Sequence, residues 1–119
     1  YDELGILQSE LFRAVRLVVD TGMHHKKWSR EKAMNYMKSK TGMSDTEVRV
    51  EIERYLVWPG QALSYKVGMI KMLELRNKAM SDLGSKFDIK KFHSAVLDHG
   101  IPPLFIVEQK IDEMIEESL

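Results

Sequence analysis

Apolar residues recur along this chain at steps of three and four, the period of an α-helix, and nowhere alternate for long as a strand would. From Glu3 to about Thr21, Leu4, Leu7, Leu11, Val15 and Val18 share one face, widened by Phe12 and Val19. That spacing predicts a largely buried first helix with Gly22 as its stop. Ser29 is placed to N-cap a second helix whose apolar side includes Ala33, Met34 and Met37, with Gly42 at its end. Ser44 and Glu47 form the S-x-x-E capping box of a third helix, with Val48, Ile52 and Tyr55 on one face. Pro59 then forces a break and opens a fourth, longest helix running to about Leu83. Its buried side is predicted as Leu63, Val67, Ile70, Leu73 and Leu75, and Gly84 closes it. Asp88 caps a fifth helix, with Phe87 and Phe92 at hydrophobic-staple spacing. Gly100 ends that helix, and Pro102 and Pro103 start a sixth that finishes near Ser118. About six helices with short connections predict an all-α fold, a bundle or array over residues 1–119, with no internal repeat and no flexible linker.

Composition narrows the partners. Eighteen basic residues balance eighteen acidic ones and are interleaved with them, so the chain has no global field or basic run to attract nucleic acid. No apolar run approaches the roughly 20 residues that cross a bilayer, so no membrane span is expected. With no cysteine in 119 residues, disulfides, thiolate metal sites and cysteine nucleophiles are excluded. The eight methionines sit at helical core or edge spacing, where flexible packing accounts for them. Trp28 and Trp58 fall at helix boundaries as anchors, and Glu113, Glu116 and Glu117 read as a solvated helix end.

Two places break the ordinary helical pattern. In Trp58 to Gly68, WPGQALSYKVG, Gln61, Tyr65 and Gly68 share one side, and two glycines are placed where helix propensity is sacrificed. Tyr65 carries a phenol that stays protonated at neutral pH and can donate a hydrogen bond, or it is an aromatic packed on a neighbouring helix with its hydroxyl at the rim. Gln61 either holds a substrate backbone group or satisfies a helix end, and Lys66 points about 100° away and is expected to be solvated. Farther upstream, Arg16, Asp20 and His24 fall at i, i+4 and i+8, one column if the first helix persists through Gly22. They suit an arginine for a substrate carboxylate, positioned by Asp20, with His24 donating a hydrogen bond near a developing oxyanion. Equally, Arg16 and Asp20 suit a helical ion pair worth about 0.2–0.5 kcal/mol, with His24 in a turn. For a metal, His24 and His25 are adjacent and diverge, and His93 and His99 are six apart, so no converging set of ligands is expected from this chain.

The stretches ELFRAVRLVVDTGMHHKKWSREKAMNYM, ERYLVWPGQALSYKVGMIKMLELRNKA and FDIKKFHSAVLDHGIPPLFIVEQKID resemble the C-terminal end of the bacterial domain-of-unknown-function family 885. That family is similar to helical zinc peptidases built on an H-E-x-x-H helix. Its R-x-x-x-D-T-G-x-H motif matches at Arg16, Asp20, Thr21, Gly22 and His24. The resemblance implies a C-terminal portion of a larger zinc-peptidase-like domain, forming the wall of a cleft that faces a peptide-like substrate. Tyr65 and His24 would be catalytic there, and Arg16, Gln61 and Asp20 substrate-binding. No H-E-x-x-H is present, so the zinc of such an enzyme is expected on an upstream part of the same protein, and this chain alone is expected to be inactive. Bare apolar surface, and association of two copies into a homodimer through it, would follow from the missing part. The compartment is open between bacterial cytoplasm and periplasm or envelope. The rival expectation is a non-catalytic helical module for protein interaction or self-association.

Overall fold

The computed structural model describes residues 2–119, which form six α-helices with no strand among them. The order is α1 (Asp2–His24), α2 (Arg30–Thr41), α3 (Asp45–Val57), a 3-10 turn (Gln61–Leu63), α4 (Ser64–Leu83), a second 3-10 turn (Gly84–Lys86), α5 (Ile89–Leu97) and α6 (Leu104–Ser118). The all-α expectation holds. So do its punctuation marks: Ser29 accepts from the Lys32 N–H, Gly42 ends α2 in the left-handed region at φ 67°, and Asp88 accepts from the Lys90 N–H. At α3 the reciprocal Ser44–Glu47 box forms, and its hydrogen bonds hold the Glu47 carboxyl below its ordinary range. The Phe87 and Phe92 rings meet at 6.3 Å, closing the staple.

The chain divides into two compact units, one running through Val67 and the other Gly68–Leu119. In the first, Val15, Val19 and Met23 of α1 pack with Ala33 and Met37 of α2, Val48, Ile52 and Tyr55 of α3, and Ala62 of the 3-10 turn. In the second, Leu75, Ala79 and Leu83 of α4 pack with Phe92 of α5 and Val107, Ile111 and Ile115 of α6. Each large side chain removed from water in these cores contributes about 1.5–3 kcal/mol.

Four expectations are corrected. Gly22 does not stop α1, which continues to His24 and turns only beyond it, with Lys27 in the left-handed region at φ 56°. Gly22 is glycine for want of room: a Cβ there would lie 2.6 Å from the Trp28 ring. The predicted burial of Leu4, Leu7, Leu11 and Val18 fails, because all four are exposed and only the Val15, Val19, Met23 column meets α2 and α3. Pro59 does not start a helix; Gly60 follows it at φ 82°, and the chain winds through one 3-10 turn before α4 begins at Ser64. On α4, Val67, Ile70 and Leu73 are exposed, and the buried line runs instead through Leu75, Ala79 and Leu83. None of the helices is long and apolar enough to cross a membrane, counting the described residues.

Candidate functional site

Because α1 persists through Gly22, Arg16, Asp20 and His24 form a continuous column, one residue round from the Val15, Val19, Met23 core line. That offset turns the column toward the end of α3 and the turn that follows. Arg16 and Asp20 are 5% and 2% exposed, the two buried charged residues among those described.

The helical ion pair weighed for this column does not form. Arg16 and Asp20 make no ion pair; both Asp20 carboxylate oxygens instead accept from the Gly60 N–H, at 3.2 and 3.1 Å. Asp20 therefore fastens the left-handed turn that launches Gln61 and Tyr65. His24 lies with Nε2 2.9 Å from the Tyr55 carbonyl oxygen, so Nε2 donates and Nδ1 is left as the second ring nitrogen.

Arg16 is surrounded by rings. Its Cζ lies 4.7 Å from the Tyr65 ring centroid and 5.4 Å from those of Phe12 and Tyr55. Aromatic faces attract the flat cation but accept none of its in-plane N–H bonds. Nε and Nη2 of Arg16 are buried with no hydrogen-bond partner, and so is Oε1 of Gln61. Unpaired buried donors and acceptors cost about 1–3 kcal/mol each, more when charged. Tyr65 is about half exposed, so its ring borders solvent on one side and Arg16 on the other.

Behind this cluster lies a group the sequence left as plain core. The Tyr55 hydroxyl donates to Glu51 Oε2 at 2.5 Å, and Glu51 also accepts from Arg54 Nη2 at 3.0 Å. Burial, then the bond to the Glu51 carboxylate, pushes the Tyr55 phenol well above the ordinary phenol range. A tyrosine four residues after a glutamate on one helix was the available signal. Lys66, expected in solvent, pairs with Glu10 at 2.6 Å with its own side chain largely covered.

The chain thus brings Arg16, Asp20, His24, Gln61 and Tyr65 to one region of the first unit. Among the described residues no group of three His, Asp or Glu side chains converges as a metal site. His93 and His99 lie exposed in the second unit.

Residues 1–111 match the model of the family described as bacterial protein of unknown function, DUF885. No curated protein matches the chain significantly. A solved structure, "the putative lipoprotein from Colwellia psychrerythraea", superposes with a TM-score of 0.95 at 51% identity over 97% of this chain. The match takes in 20% of that protein, so this chain spans about a fifth of its length. The chain belongs to the DUF885 family.

Proposed function

We propose that this chain forms the substrate-facing wall of a hydrolytic cleft in a peptidase-like protein, with Tyr65 as the group that donates to the reacting carbonyl. The observation that carries this reading is the company Tyr65 keeps: a half-exposed phenol against a buried arginine with two unpaired N–H donors, close in the chain to a glutamine whose buried Oε1 is also unpaired. A protein that needed this region only for packing would have little reason to keep three such groups together.

Each residue has a part. Tyr65 hydrogen-bonds the carbonyl oxygen as negative charge develops on it, a role that suits a phenol protonated at neutral pH. Arg16 and Gln61 hold the substrate. Asp20 fixes the turn carrying Gln61 and Tyr65, and His24 pins α1 to the end of α3. The family resemblance puts a zinc ion and its water-activating base elsewhere in the intact protein, where they would supply the nucleophile; nothing in the steps assigned to this chain runs through them. The solved relative's description as a lipoprotein favours the cell envelope as the place of action.

The test is steady-state kinetics of the intact protein on peptide substrates. Tyr65→Phe should lower kcat about a hundredfold or more with KM little changed, the loss expected for one oxyanion donor. An unchanged kcat would remove Tyr65 from the chemistry. A non-catalytic self-associating module is the second reading, favoured by the exposed Leu4, Leu7 and Leu11 stripe; it requires dimerisation that Leu7→Glu abolishes.

A further inference from the structure

We infer that Arg16, Gln61 and Tyr65 form a receptor for the last residue of a peptide, with Arg16 binding its free α-carboxylate and Gln61 Oε1 accepting its backbone N–H. This deepens the hydrolase reading by naming the substrate class, peptides shortened from the C-terminal end, and only its kinetic consequences rest on that reading.

The chemistry of the unused atoms selects this ligand. Arg16 offers two unpaired N–H donors on a cation that does not deprotonate, which calls for an anion able to accept two bonds at once. The Phe12, Tyr55 and Tyr65 rings around its Cζ cannot accept those in-plane N–H bonds, so the donors are left for a ligand that reaches them. Asp20, the anion nearest along the helix, is engaged by Gly60 and makes no ion pair with Arg16. Gln61 contributes an orphan of the opposite sense, an acceptor. A ligand satisfying all three atoms carries a carboxylate and an N–H donor close together. The terminal residue of a peptide, –NH–CHR–COO⁻, has that arrangement.

Distance limits the length of what can bind. The Arg16 Cζ lies 4.7 Å from the Tyr65 ring centroid, so the ring sits directly against the guanidinium. Successive Cα atoms are about 3.8 Å apart. A carboxylate seated on Arg16 therefore keeps the preceding peptide unit within about one residue step of the Tyr65 side chain, and a chain continuing past the terminal residue would have to pass the guanidinium and the rings around it. Arg16 is nearly out of water and the half-exposed Tyr65 ring lies against it, so the carboxylate enters by displacing that ring.

Binding and turnover are measured separately on the intact protein. By calorimetry, N-acetyl-leucine should bind, N-acetyl-leucinamide should bind at least about tenfold more weakly, and Arg16→Gln should abolish the difference while Arg16→Lys keeps part of it. Equal affinity for acid and amide in the wild-type protein overturns the inference, and that comparison requires no variant to fold. Arg16→Met should raise the Tm of the ligand-free protein while losing the acid; a fall in Tm with acid binding intact would make Arg16 a structural residue bridged by water and would likewise overturn it. Hydrolysis of carboxylate-ended and amide-ended peptides at equal rates sinks the terminal receptor but leaves the hydrolase reading standing. Selective acid binding with no hydrolysis of any peptide does the reverse.

Discussion

The two compact units bury their interiors on different terms. In Gly68–Leu119 the core is wholly apolar, and charged side chains pair at the rim, Lys71 with Glu108 and Lys78 with Asp112. The unit running through Val67 has a core of similar kind but sets Arg16 and Asp20 beside it, nearly out of water, and every buried unpaired side-chain atom found among the described residues lies there. An apolar helix interface is stable over a wide choice of side chains, whereas each buried polar atom demands a particular partner. The second unit therefore tolerates a wide choice of side chains, and the first carries buried polar atoms that cost it stability.

Removing one carboxylate from each unit breaks this comparison most directly. Asp20→Ala leaves the Gly60 N–H without its acceptor and should cost about 3 kcal/mol in urea denaturation, whereas Asp112→Ala, which loses a surface partner of Lys78, should leave the midpoint where it is. Equal losses at the two sites would erase the distinction. Next in size is Gly22→Ala. An added Cβ would sit 2.6 Å from the Trp28 ring, which cannot yield as a flexible chain end would, and about 1–3 kcal/mol should be lost although alanine favours helix. A gain in stability would show that the ring moves aside.

The smallest effect is confined to alkaline pH. The Tyr55 phenol is raised above its ordinary value of 10.0 in the folded chain, so between that value and the folded one the unfolded state has released a proton that the folded state keeps. Stability is then full below about pH 10 and falls as pH rises through it. Tyr55→Phe should flatten that decline in a pH series of denaturation midpoints; an unaltered slope would place its origin at another group.

Local chemistry explains which features could be read from the sequence. Ser29, Ser44 with Glu47, and Asp88 cap helices through bonds spanning two or three residues, so sequence alone held the whole interaction. The Arg16, Asp20, His24 column was legible for the same reason, since helical spacing fixes it. Its partners were not. Asp20 meets Gly60 and His24 meets the Tyr55 carbonyl across 40 and 31 positions, and both acceptor and donor are backbone atoms that every residue possesses. Gly22 misled because a glycine near a helix end suggests a turn, while its cause here is a tryptophan ring arriving from outside the helix. Leu4, Leu7 and Leu11 had the right period for a buried face, but periodicity cannot tell a helix whether another lies opposite.

The bond between Asp20 and the Gly60 N–H links a point on the first helix to the hinge from which Gln61 and Tyr65 project. Their placement is thus held by a clasp whose carboxylate half, Asp20, can be mutated without touching either side chain. Loosening it should make the phenol wander before the helices melt, so a change in the surroundings of Tyr65 would be an earlier symptom than loss of fold.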